Sequence, residues 1–300
     1  RVHEKKDGTS ETDYYVDVLE ANLAFQNGMV IPLISEFLNY IKGDVANDKQ
    51  DCETRAFYRL AKRLKKTFSH LRIMVLLDGI YAQGPIIERC RLYKWDFMIV
   101  LQDASLPTVW DEFKGLGKCH PENRYNMIWG DRRQTFTWVN QIDYYFGPKE
   151  RKKQILHVVV CRETWHEVDG KTCQIVEKKS KHAWISSKPL CKTHLHERCN
   201  LGARHLRGIE SCILVEKHHG YHYEHCFSTN WNALRGYHYL MRLAHALNVL
   251  AHYSKALMPF VKKMGFRNLI QFCWETLSAP WLNAERMRKR LEVPFQLRLE

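Results

Sequence analysis

An aspartate, Asp78, ends the apolar run LRIMVLL at residues 71–77 and is followed by Gly79. A carboxylate at the carboxyl end of a buried strand stands where open α/β sheets hold their ligands, although Asp-Gly after a strand also serves simply as a turn. A partner lies in GARHLRGIESCILVEK, residues 202–217, where Glu210 and Lys217 are about two helical turns apart. On a helix these two share one face, with Arg204 and Arg207 a turn or two before the glutamate. The same residues make either a charged constellation for chemistry or a surface ladder of ion pairs.

The elements that must position these groups follow from the apolar periodicity. YYVDVLEANLAF and MVIPLISEFLNYI flank Asn27-Gly28 and predict two antiparallel strands. KQDCETRAFYRLAKRLKKTF predicts an amphipathic helix, with Asp51 as N-cap, Glu53 in the first turn, and Phe57, Leu60, Ala61, Leu64 and Phe68 on its inner face. Lys62, Arg63, Lys65 and Lys66 give it a basic side, solvated or set against a DNA backbone. The strand LRIMVLL, a short helix near PIIERCRLY and the strand WDFMIVL then alternate as in a sheet with a parallel component, so the sheet is expected to be mixed and to include the first hairpin. Short extended pieces follow over residues 125–187, with turns at Gly147-Pro148 and Asp169-Gly170. Helix resumes after Pro189, and Leu234, Tyr237, Leu240, Met241, Ala244, Leu247 and Leu250 are expected to form the apolar face of a long helix.

The chain has 300 residues, 45% of them hydrophobic, and a formal net charge of +13. It can fill a core, and its spread positive charge favours a polyanionic partner, nucleic acid above all, over the plainer reading of a basic enzyme with a solvated lysine surface. No apolar run approaches the roughly 20 residues of a membrane helix, no signal peptide opens the sequence, and the ten cysteines are irregularly spaced, so a reduced, cytoplasmic protein is expected. The first residue is arginine, and the chain is expected to begin inside a longer protein.

Taken in order, KQDCETRAF, LLDGIYA, HAWISS, GARHLRGIE with its lysine seven residues on, HHGYHYEH and YHYLMRLAHALNVL resemble a DDE transposase of bacterial insertion-sequence type, in the group with a Tyr-Arg-Glu-Lys signature. The resemblance extends over residues 14–250. It implies an α/β fold: an RNase H-like mixed sheet with flanking helices, interrupted by a β-rich insertion and followed by a helical carboxyl-terminal region. The corresponding divisions are 1–124 and 188–256 for the core, 125–187 for the insertion, and 257–300 for the last helices and a basic tail. The implied activity is hydrolysis and strand transfer at phosphodiesters of insertion-element ends, with magnesium, or manganese in its place, as cofactor. The implied partners are double-stranded DNA at the element ends and target DNA, with a homodimer holding two ends, no membrane, and a nucleoid-associated setting.

In that resemblance Asp78 and Glu210 are the second and third catalytic acids and metal ligands, and Lys217 grips a phosphate. The first acid is expected upstream of residue 1, Asp7 and Asp17 being the early alternatives. The signature tyrosine and arginine fall at Ala203 and Leu206, and the tryptophan that follows falls at Arg207, so Arg204 or Arg207 is left to supply the charge against DNA. Trp184 in HAWISS stands either where related enzymes hold an unstacked base or in a packed core. A non-catalytic DNA-binding remnant is the main alternative. A zinc module built from Cys191, His194, His196 and Cys199, in a cramped spacing, is another, with His222, His225 and Cys226 offering further ligands.

Overall fold

A computed structural model describes residues 2–4, 10–12, 16–38, 52–170 and 173–278, together with residues 285, 288, 289 and 292. The chain divides into two units, residues 1–245 and 246–300. In the first, β1 (Val2–Glu4) and β2 (Ser10–Thr12) form a small antiparallel pair, and β3 (Val18–Ala24) and β4 (Val30–Phe37) a second, turning at Asn27 and at Gly28 with its φ of 87°. Asn27 Oδ1 accepts the N–H of Met29 across this turn.

The main sheet has six strands in the order β5-β6-β10-β9-β8-β7. They are β5 (Met74–Leu77), β6 (Asp96–Val100), β7 (Arg124–Trp129), β8 (Arg132–Phe146), β9 (Lys152–Val168) and β10 (Ile175–Ser186). β5 and β6 run parallel, joined through α2 (Gly84–Leu92), and every other pairing is antiparallel, so the sheet is mixed as expected. The expected membership of the β3–β4 hairpin is corrected: among the described residues it pairs only within itself. The strands of the β-rich stretch join the main sheet directly, because β10 returns alongside β6 with Trp184 opposite Val100.

Two cores cover the two faces. On one, α1 (Glu53–Thr67), α2 and α3 (Pro107–Cys119) press Phe57, Ala61, Ile86, Ile87 and Val109 against Phe97, Ile99, Val158, Val160 and Ile185. On the other, Leu190, Leu195, Cys199 and Ala203 lie against Met98, Phe136, Trp138, Val159, Cys161 and Trp184. Consecutive β9 residues thus serve opposite faces, as the strand period requires. β8 breaks its own alternation. Phe136 and Trp138 face the second core, whereas Ile142, Tyr144 and Phe146 face the first, because a bulge between Val139 and Ile142 shifts the register. Gln141 takes a φ of 60° there, and Asn140 acts as a surrogate peptide, donating to Leu190 O at 2.9 Å and accepting from Leu190 N at 2.8 Å.

The helix over 53–67 buries Phe57, Leu60 and Ala61 and half-buries Leu64. Its N-cap position is held by Cys52, without a side-chain cap, which corrects the assignment to Asp51; Asp51 itself lies outside the described residues. Arg59 and Arg63 on its basic side both bind Glu36, at 2.7 and 2.9 Å.

The later helices are α4 (Leu206–His218) and α5 (Trp231–Tyr253), with α6 (Met258–Met264) packed on α7 (Phe266–Ser278) in the second unit. The expected apolar face of α5 is corrected. Leu240 and Leu247 are 68% and 57% exposed, and the buried stripe is His238, Met241, Arg242 and His245. The stripe has helical core spacing but is mostly polar, because its partners are carboxylates. Among the described residues no helix is long and apolar enough to cross a membrane.

Candidate functional site

Asp78 follows directly on β5 at the carboxyl end of the parallel pair and caps a 3-10 turn, Gly79–Tyr81. Its Oδ1 accepts the Gly79 N–H at 2.6 Å, and the side chain is exposed. Gly79 is buried, and a Cβ there would stand 2.6 Å from the Gln102 side chain, which would have to swing aside to admit it. The turn role is therefore real, and it leaves Oδ2 pointing into no hydrogen bond among the described residues.

Glu210 lies on α4, exposed and without an ion pair among the described residues. Lys217, seven positions on along the same helix, binds Glu224 at 2.7 Å. No hydrogen bond or ion pair among the described residues joins Asp78 to either of them. Each of the two carboxylates is an exposed hard oxygen donor, the kind of ligand magnesium prefers. Asp17 stands just before β3, its carbonyl accepting from Leu38 N, and Asp7 lies outside the described residues.

Arg204 and Trp184 are brought together, away from solvent. Glu163, on β9, has a fully buried side chain and accepts from Arg204 Nη2, from Gln134 Nε2 at 2.5 Å, from Ser180 Oγ at 3.0 Å and from Arg132 Nη1 at 3.2 Å. Gln134 and Asn200 exchange amide hydrogen bonds at 2.8 and 3.1 Å, and Arg204 Nε reaches Asn200 Oδ1 at 3.1 Å. Burial works to raise the Glu163 pKa, but these donors and the Arg204 charge outweigh it and hold the carboxyl below its ordinary range. Trp184 is 4% exposed and stacks on His182 with centroids 5.6 Å apart. A ring so enclosed offers no face to a base, so Trp184 here is a core residue. Of the two candidate arginines only Arg207 is left exposed.

The histidine and cysteine runs do not converge. Cys191 is exposed and contacts Thr193 and His194, His196 contacts Asn200, and Cys199 is buried in the second core. Cys226 bonds back to Ser228 O.

A second charged cluster escaped the sequence reading. Glu20 on β3, Glu216 on α4 and Arg242 on α5 meet below the surface: Arg242 Nη1 lies 2.6 Å from Glu20 Oε2 and 3.0 Å from both Glu216 oxygens, and Nη2 donates to Asn22 Oδ1 at 2.6 Å. His245 Nδ1 is 2.7 Å from Glu216 Oε1, and Cys212 Sγ is 3.9 Å from that nitrogen. Tyr223 donates to Glu20 Oε1 at 3.0 Å, and His238 pairs with Ser35 at 2.8 Å. The available signal was polar residues at core spacing: Glu20 and Asn22 alternate on a strand, and His238, Arg242 and His245 recur at i, i+4 and i+7.

One guanidinium faces two buried carboxylates. Burial, and beyond it the Glu216 charge, overcome Arg242 and push the Glu20 pKa up to about 7 from 4.5. Burial and the Arg242 charge push His238 down to about 4. A carboxyl raised on folding contributes stability that is complete below about pH 4.5 and is lost as pH rises through about 7. His238 has the opposite sign, losing its contribution as pH falls from 6.5 towards 4. Facing Glu20 are Arg242, Glu216, His245, His238 and Tyr223. The expected result is that Glu20→Gln, compared with wild type in urea with EDTA present, gains roughly 3 kcal/mol of relative stability between pH 4.5 and pH 8. A relative stability that does not change with pH contradicts the assignment.

No protein-family model matches the chain, and no curated protein matches it.

Proposed function

We propose that the protein is a DDE-type transposase that cleaves and joins DNA at insertion-element ends. The reading rests on the ordered series of motifs from KQDCETRAF to YHYLMRLAHALNVL. The single structural observation in its favour is Asp78, exposed at the carboxyl end of a parallel strand in a mixed sheet, with the intervening β-rich stretch and the Glu210–Lys217 helix following in the order the resemblance requires. Magnesium, held by Asp78 and Glu210, would activate the attacking hydroxyl and stabilise the leaving oxygen. The protein's own contribution is to fix these carboxylates: Gly79 N–H orients Asp78 Oδ1 and leaves Oδ2 free, and α4 keeps Glu210 in water. Lys217, released from Glu224, would bind a phosphate as a point charge. The net charge of +13 draws DNA in, acting as a pair of chains on two ends in the bacterial cytoplasm.

The protein expressed from its complete gene is expected to nick element-end DNA with magnesium, and Asp78→Ala or Glu210→Ala to slow nicking at least about a hundredfold, several kcal/mol of lost stabilisation. Undiminished cleavage by either variant removes the proposal.

A second reading, DNA binding without catalysis, is favoured by one observation. The signature positions 203 and 206 are alanine and leucine, and Arg204 is bound to Glu163 instead of facing solvent. It is recognised by salt-sensitive DNA binding in a protein that nicks nothing, with Arg207→Ala weakening binding for all sequences alike.

A further inference from the structure

Cys212, Glu216 and His245 are all buried, and one donor atom from each lies within 4.8 Å of the others. Among the described residues this is the one group of three or more such side chains so gathered. We infer that they form a structural site for a divalent transition metal, zinc above all, fastening α4 to α5.

Cys212 and Glu216 are i and i+4 on α4, so they project from one face, and His245 enters from α5. A thiolate, an imidazole and a carboxylate are the ligands zinc takes, whereas magnesium prefers an all-oxygen set; the proposal is independent of the DNA chemistry at Asp78. Metal–ligand bonds of about 2.0–2.3 Å put tetrahedral neighbours about 3.3–3.8 Å apart. Cys212 Sγ and His245 Nδ1 are 3.9 Å apart, close to that edge, and the 2.7 Å contact from His245 to Glu216 has only to open slightly.

Charge gives the second argument. Glu20 and Glu216 share a single cation, Arg242, in a place with little water. A dication bound by a Cys212 thiolate would balance the cluster: the metal and Arg242 carry three positive charges against Glu20, Glu216 and the thiolate. The thiol proton leaves to solvent on binding. The outer contacts are in place too. Arg242 holds both oxygens of Glu216, and the Tyr221 ring lies over His245 with centroids 4.9 Å apart.

The test uses the whole protein and the metal alone. Elemental analysis after gel filtration is expected to find one zinc per chain. The metal-stripped protein is expected to bind one cobalt(II) with a charge-transfer band of single-thiolate intensity. Cys212→Ser and His245→Gln should lose the stoichiometric metal, and Cys191→Ser and Cys226→Ser should keep it. Where Cys212→Ser fails to fold by circular dichroism, the wild-type cobalt spectrum decides. No bound metal in folded wild-type protein, a band of two or more thiolates, metal retained by folded Cys212→Ser, or metal lost with Cys191→Ser each overturns the proposal.

Discussion

Arg242→Met is expected to lower the unfolding free energy by about 3–5 kcal/mol, because it leaves two buried carboxylates without their shared cation. The loss should come from uncompensated charge and not from packing, since methionine replaces most of the arginine stem. Glu20→Gln and Glu216→Gln in the same background should therefore recover much of it, a coupling that separate substitutions would not show. Urea denaturation of the four combinations, with EDTA present, measures this directly. If the triple variant is as unstable as Arg242→Met alone, the charge argument fails.

Glu163→Ala is expected to cost a similar amount, about 3–5 kcal/mol, for the opposite reason: it strands donors. Arg204, Gln134, Ser180 and Arg132 all aim at one carboxylate whose side chain is closed to solvent. Glu163→Gln keeps the shape and an acceptor oxygen and should cost about half as much. The carboxyl is held below its ordinary range, so its contribution is present above about pH 4.5 and disappears as the solution is acidified further. Wild type should show that acid limb in its melting temperature and Glu163→Gln should lack it. An unchanged acid limb in the glutamine variant would mean that Glu163 does not organise this cluster.

The mixed sheet, the hairpin and α1 were legible because apolar residues recur there with periods that only a strand or a helix satisfies. Asp78 was legible for the same reason, as the polar residue that ends an apolar run. The buried clusters were not. A glutamate in VVVCRETW or an arginine in YLMRLAH reads as a surface residue until the opposing element is known, and that element lies far away in sequence: Arg204 for Glu163, Glu20 for Arg242. The same blindness inverted α5, whose leucines mark the exposed side because its inner side is satisfied by ions. Signature matching, which left Arg204 or Arg207 to supply the charge against DNA, could not choose between them, because only the fold shows that Arg204 is paired with Glu163.

The bulge in β8 makes the strand unequal under deletion and under substitution. Replacing Gln141 alters one side chain at a φ of 60°. Removing its codon would take out the extra residue and leave Ile142, Tyr144 and Phe146 two, four and six positions after Val139, on the face they already serve, at the cost of disturbing the hydrogen bonds of Asn140 to Leu190, the start of the segment that leads to α4. In a deletion scan, the loss of Gln141 should therefore be milder than the loss of a regularly paired neighbour such as Thr137, which would turn every residue on one side of the gap to the opposite face.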